Sequence, residues 1–346
     1  MQCWCAIVPT HVLTRLSLDQ SLSDARRKAF ANAAAYEMHW RTVRSLHAES
    51  TVVASQSLST PSPPPVFTPP AVMVYDCAEG TALPGSPISH DPAASPESPA
   101  ARAHLETTAV AEFYGRIFGR NSLDGRGLTL QSSIRYGTGY NNAFWNGQQM
   151  IYGDGDGHIF GDFTQGRDVI AHELTHGITQ HTAQLSYTGE AGGLNESISD
   201  AFGSMFRQWR ANQAVTEADW LIGKDVMGPG ALEKGHTCLR DLSNPGADHC
   251  LAAQPTHYSQ LKPGLEAHST SGVPNFAFYK AALAIGGKSW ETAGQVWYRA
   301  LTDFAPDANL SMRSFADRTR QLAQRLFPAT PSVQTAIDKA WTDVGL

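Results

Sequence analysis

The proline distribution constrains this chain more than any other feature: 11 of its 20 prolines fall between Pro61 and Pro99. Proline lacks the backbone N–H and fixes φ, so this stretch cannot supply helix interiors or central strands. The chain is therefore expected to consist of parts joined there. Its 346 residues exceed what one compact core usually holds, which agrees with two lobes plus an accessory segment. Apolar residues at 42% suffice for a core, while the charged content of 17% is below the roughly 25% usual in soluble domains. The net charge is −6 and no basic block stands out, so a nucleic-acid partner is not expected. No apolar run reaches the ~18 residues of a membrane span.

The start, MQCWCAIVPTHVLTR, has no early Lys or Arg, and its apolar run breaks at Pro9, so it does not read as a cleavable signal peptide. Five cysteines without a Cys-x-x-Cys pair argue against a structural zinc module. Cys238 and Cys250 flank a short loop rich in Gly, Pro, Asn and Asp. They are either one disulfide or two free thiols in a reducing compartment.

Residues 17–48 are predicted helical, with Asp24 able to cap the Gly- and Pro-free run that follows. Ser, Thr and Pro then dominate to Pro70, which predicts an extended linker. VMVYDC reads as a strand, and a second Pro/Ser-rich stretch follows. From Ala101 the composition becomes globular. HLETTAVAEFYGRIFGR predicts an amphipathic helix, and Leu128–Phe160 alternates like an antiparallel meander. Helices are expected over 167–183 and 194–211 and, after a loop-rich stretch from Gly228 to Gly272, over 275–286, 290–304, 311–327 and 332–344. Strands come first and helices later, an α+β order with two lobes. The expected divisions are 1–60, 61–188 and 189–346.

The chemistry is concentrated in His172-Glu173-Leu174-Thr175-His176. Two histidines four apart on a helix share one face and can reach one metal ion. Glu173, one residue along, is placed to act as a general base. The flanking DVIA and LTHGIT describe a mostly buried helix, where ionisable groups need a partner that a metal supplies. A third ligand is expected from Glu196, with Asp200 four residues on, where it can accept from a ligating histidine and fix its tautomer.

His172–His176 followed by Asn195-Glu196-Ser197-Ile198-Ser199-Asp200 resembles the thermolysin family of zinc endopeptidases. The resemblance extends through NAFWNG at 142–147, YGDGDG at 152–157, Tyr187, Arg240 and His268 in HSTSGVPN, and covers roughly residues 75–346. It implies a two-lobed fold, β-rich then α-helical, with Zn2+ in the cleft. It further implies that Tyr187 and His268 stabilise an oxyanion, and that Asn142, Ala143 and Arg240 hold the substrate backbone. An apolar pocket from Val169, Ile222 and Leu239 would favour a bulky apolar residue after the cut. The start, IVPTHVL at 7–13, is similar to the short propeptide of protealysin-like members, which usually carry two prolines where this chain has Pro9-Thr10. The family reading is of a monomeric zymogen, inhibited by its own propeptide through the Pro9 region and the 24–48 helix. It also implies an extracellular enzyme; the start of the chain leaves a cytoplasmic or non-classically exported one open.

Two departures stand out. Pro263 occupies the place of the family's usual Asp five residues before the histidine, so His268 is expected to be less well oriented unless Glu266 substitutes. Arg207, Leu221 and Lys224 stand where the family's paired calcium site has carboxylates, although Asp168 and Asp219 match. Adding two cations beside a dication is strongly repulsive, so the double calcium site is expected to be absent, with Arg207 or Lys224 pairing to Asp168 or Asp219. The competing function is a catalytically weakened zinc protein that regulates or binds on the same scaffold. A zinc aminopeptidase would need an anchor for the substrate amine, and no such motif is seen.

Overall fold

The computed structural model describes residues 5–47, 68–89 and 95–346. The linker expected before Pro70 lies largely outside these residues, as do 90–94 of the second proline-rich stretch. The described N-terminal segment contains a two-residue strand β1 (Cys5–Ala6) and helices α1 (Thr10–Ser17) and α2 (Asp24–His47). The single helix predicted over 17–48 is thus corrected. Pro9, extended at φ −60° and ψ 146°, starts a separate helix whose Val12, Leu13 and Leu16 are buried. Asp19 then accepts from the backbone and hydroxyl of Ser21 and turns the chain. Ser23, not Asp24, offers the capping oxygen, to Arg26 N at 3.4 Å.

Strands β2 (Val72–Asp76) and β3 (Ser86–Pro87) precede the long helix α3 (Pro99–Phe118). The local chemistry of α3 fixes both its ends. Ser98 accepts from Ala101 N, Pro99 opens the first turn, and Gly119 closes it at φ 68°. Strands β4 (Leu130–Ile134), β5 (Ala143–Trp145) and β6 (Met150–Tyr152) complete one six-stranded sheet in the order β1-β5-β6-β4-β2-β3. The meander expectation holds only for β5–β6. β4 pairs parallel with both β2 and β6. Alternation reports which face is buried and is blind to the direction of a neighbour.

Helix α4 (Arg167–Gln180) follows, and every residue from Asp168 to Thr179 is buried. Helix α5 (Gly189–Ala211) packs against it and begins five residues before the predicted start. Its GEAGG opening looks loop-like in sequence, yet Glu190 anchors it by accepting from Tyr258 OH and Met312 N, each at 2.7 Å. A small ribbon of β7 (Leu221–Ile222) and β8 (Arg240–Asp241) flanks the short helix α6 (Pro229–Glu233). The remainder is helical: α7 (Ala267–Thr270), α8 (Gly272–Ile285), α9 (Ala293–Thr302), α10 (Met312–Leu326) and α11 (Pro331–Asp343). The strand-first, helix-later order is as expected from the sequence.

The approach of α4 and α5 depends on Gly203, where an added Cβ would lie 2.7 Å from the Asp168 carbonyl oxygen. Gly203→Ala is therefore expected to push the two helices apart. Overpacking of this kind costs about 1–3 kcal/mol. Thermal unfolding should show it as a lower Tm, and an unchanged Tm would refute the close contact.

Candidate active site

Adjacent turns of α4 carry His172 and His176, and adjacent turns of α5 carry Glu196 and Asp200; all four are fully buried. The two imidazole Nε2 atoms lie 3.1 Å apart. Glu196 closes the triangle, with its oxygens 3.4 Å from His172 Nε2 and 3.7 Å from His176 Nε2. These donors suit a metal ion. Two nitrogens bound to one tetrahedral zinc at 2.0–2.1 Å stand about 3.3 Å apart. The set has the two-histidine, one-carboxylate composition of a catalytic zinc centre with an open position.

The opposite ring nitrogens are held from behind. Asp200 Oδ1 lies 2.8 Å from His172 Nδ1. Asn195 Oδ1 and Ser199 Oγ lie 3.0 and 3.1 Å from His176 Nδ1. These contacts turn both Nε2 atoms toward the shared point. Burial opposes the charge on Asp200, but Arg240 outweighs it and, with His172, holds the carboxyl well below the usual range. Burial alone would lower His172, yet Asp200 and Glu196 raise it to about 9. Burial pushes His176 down to about 4, which keeps it neutral as a ligand must be.

Glu173 sits beside the triangle. Its Oε2 accepts from Trp145 N at 3.0 Å, whereas Oε1 is buried with no hydrogen-bond partner among the described residues. Burial drives its pKa well above the ordinary carboxylate value. Tyr187 places its ring 5.9 Å from that of His176, and His268 Nε2 lies 3.0 Å from Glu196 Oε2. His268 Nδ1 is buried and has no hydrogen-bond partner among the described residues. Glu266 therefore does not take over the missing aspartate's hydrogen bond; its Oε2 lies 3.1 Å from His11 Nδ1 instead.

The cleft beside these groups is filled by the chain's own N-terminus. β1 joins the free edge of β5 antiparallel, pairing Ala6 with Phe144. Ile7 N donates to Ala143 O at 3.1 Å. Asn142 accepts from Val8 N at 2.9 Å and donates to Val8 O at 3.0 Å. Arg240 forks onto both oxygens of Asp200 at 2.8 Å and spends its remaining terminal nitrogen on Ile7 O at 2.9 Å. Ile7, Val169, Ile222 and Leu239 are all fully buried in one apolar cluster. Asn142, Ala143 and Arg240 thus meet the N-terminal segment beside the His172–His176–Glu196 triangle. Sequence reasoning passed over Asn195 and Ser199, which flank Glu196 in the very run that was read, and Asn275, which donates to Asp200 Oδ2 at 2.9 Å.

Descriptions of the thermolysin metallopeptidase catalytic domain and alpha-helical domain match residues 68–180 and 183–346. The chain belongs to the thermolysin family of metallopeptidases. It is 38% identical to an extracellular metalloprotease of Pectobacterium carotovorum subsp. carotovorum, over 99% of this chain and 96% of that protein. The solved precursor of protealysin, a metalloproteinase from Serratia proteamaculans, superposes with a TM-score of 0.81 at 35% identity and covers 99% of both chains. Thermolysin of a Bacillus species is 36% identical over 80% of this chain, which spans only 51% of that protein's length. This thermolysin-family chain is therefore a metallopeptidase, and its family is zinc-dependent.

The contacts behind the histidines are expected to matter for the metal. Loss of such a partner typically weakens metal affinity about 10–100-fold. Asn195→Ala should do so in a chelator competition titration, and an affinity equal to that of the unaltered chain would count against this role.

Proposed function

We propose that this chain is a zinc endopeptidase made as a zymogen, with His172, His176 and Glu196 holding the metal and Glu173 acting as general base. The observation that carries this reading is the convergence of those three buried donors with the unpartnered Oε1 of Glu173 at their side. Zinc, when bound there, supplies Lewis acidity to a water and to the scissile carbonyl. Glu173 Oε1 takes the proton released by the attacking water and passes it to the leaving amine. Its backbone bond from Trp145 holds the other oxygen still, so the working oxygen keeps its orientation. Tyr187 and His268 are the proposed donors to the oxyanion, and Asp200 positions His172. Asn142 and Ala143 bind the substrate as an added strand, and Arg240 grips a carbonyl. Val169, Ile222 and Leu239 favour a bulky apolar residue just after the cut.

The N-terminal segment supports the zymogen reading, since residues 5–8 satisfy the same backbone donors and acceptors a substrate would need. We infer residues 1–60 to be the propeptide and linker, 61–188 the β-rich lobe and 189–346 the helical lobe, with the enzyme acting as a monomer. The name of one relative, an extracellular metalloprotease, favours an extracellular enzyme, and no helix among the described residues is long and apolar enough to cross a membrane.

A pair of guanidinium and ammonium groups takes the place of the family's double calcium site in this proposal. Arg207 reaches Asp219 at 3.3 Å and both Asp168 and Asp225 at 3.8 Å, while Lys224 lies 3.0 Å from Asp219. Asp225 was not anticipated from the sequence.

Three outcomes are expected. A zinc chelator and Glu173→Gln should each abolish cleavage of a casein-type substrate, and Glu173→Gln should leave the pro-segment uncut in a mass spectrum; cleavage retained in either case would refute the mechanism, and no cleavage by the unaltered chain would make the site a binding scaffold. Ile7→Asp should weaken inhibition by the pro-segment, measured as earlier onset of activity in the full chain, because a carboxylate would enter an apolar pocket. Millimolar calcium should leave the Tm within about 1 °C, whereas tight binding by the folded state would raise it by several degrees.

A further inference from the structure

Cys238 and Cys250 take no part in the peptidase site, yet their sulfurs lie 3.8 Å apart and both side chains are buried. Cys77, also buried, turns its sulfur toward the Ala82 and Pro84 carbonyls instead. The two facing cysteines sit on chain segments that run parallel and in register. Cys238 is bridged directly to Cys250, Thr237 N donates to His249 O at 3.0 Å, and Leu251 N donates to Cys238 O at 2.9 Å. Backbone bonds on both sides therefore hold the pair opposite one another. Sulfurs already 3.8 Å apart on directly paired backbone need only a short approach to reach bonding range.

We propose that Cys238 and Cys250 form an oxidative closure site, joined by exchange with a small-molecule disulfide of the glutathione type. The thiolate of Cys250, the slightly more exposed of the two, attacks one sulfur of that oxidant and displaces one small thiol. The thiolate of Cys238 then attacks Cys250 Sγ, forms the intramolecular S–S bond and displaces the second. Two electrons and two protons pass from the protein thiols to the oxidant, which leaves as two thiols.

The ring so formed encloses Leu239, Arg240 and Asp241. Within it, Arg240 holds both Asp200 and Ile7 O, and just outside it Leu251 O accepts from Arg15 of the pro-segment at 2.6 Å. Closure therefore staples the strand that the cleft and the pro-segment both use. His249 lies near enough to the two sulfurs to complete a three-donor metal set. Its Nε2 is, however, engaged with Asp241 Oδ2 at 3.2 Å, and the disulfide requires no further ligand.

The test uses the full-length chain carrying Glu173→Gln, so that self-cutting does not confuse the map. The protein is incubated with oxidised glutathione, denatured in an alkylating agent, digested with trypsin and mapped. The expected result is a link between peptides 235–240 and 241–280, since trypsin does not cut the Lys262-Pro263 bond, two hydrogens lighter than their sum, together with a Tm raised by several degrees. Dithiothreitol should reverse both, and Cys250→Ser should remove both. The comparison of oxidised with reduced unaltered cysteines stands even where the serine variant folds poorly. Full alkylation of both residues, lasting mixed disulfides with glutathione, links to Cys3 or Cys5, or an equal Tm in the two states would overturn the proposal. A second equivalent of zinc that is lost on alkylation would overturn it in favour of a metal site.

Discussion

The buried contact between Arg240 and Asp200 is the interaction on which the cleft depends. Both side chains are fully buried, and the guanidinium meets both carboxylate oxygens at 2.8 Å. Such a pair is costly to desolvate and tolerable only when every remaining polar atom is satisfied. Here they are shared out: one Asp200 oxygen also faces His172, the other accepts from Asn275, and the last arginine nitrogen meets a backbone carbonyl. One ion pair thereby ties α5 to β8, sets the ring of His172 and points a guanidinium at a backbone carbonyl of the N-terminal segment.

The pro-segment exploits the same economy of groups. Sheet edges attract further strands, because their N–H and C=O groups are unpaired. The edge at β5 is covered by β1, and the amide of Asn142 is satisfied in both directions by Val8. Away from the cleft the segment is anchored by side chains. Phe30 packs edge-on against Phe160 at 6.3 Å, Lys234 reaches Asp19 at 2.5 Å, and Arg26 lies 3.3 Å from Asp156. In salt the apolar contact is the more durable part of that grip, since the half-exposed Lys234–Asp19 pair contributes little and is screened.

The site was legible because its residues obey helical spacing. His172 and His176, then Glu196 and Asp200, are each four apart, and that spacing survives folding intact. Asn195 and Ser199 were not legible, because their use depends on the rotation of α5 relative to α4, which tertiary packing sets. Strand direction was lost for a similar reason: alternation in Leu128–Phe160 encodes faces but not neighbours, and β4 turned out to be flanked by parallel strands. The start of α5 was misjudged because glycines that permit close packing look, in one dimension, like glycines of a loop. Glu266 illustrates the reverse error, since proximity in sequence to His268 did not give it that partner.

Arg207 carries a consequence for how this corner of the molecule responds to its surroundings. It sits among Asp168, Asp219 and Asp225 as a cation belonging to the chain itself. A diffusible ion stabilises a fold only in proportion to its occupancy, which follows its free concentration. A tethered guanidinium has no such equilibrium, because it cannot be diluted, chelated or outcompeted. The positive charge beside Asp168 is thus supplied when the polypeptide is made, and its contacts with the more exposed Asp219 and Asp225 weaken as ionic strength rises.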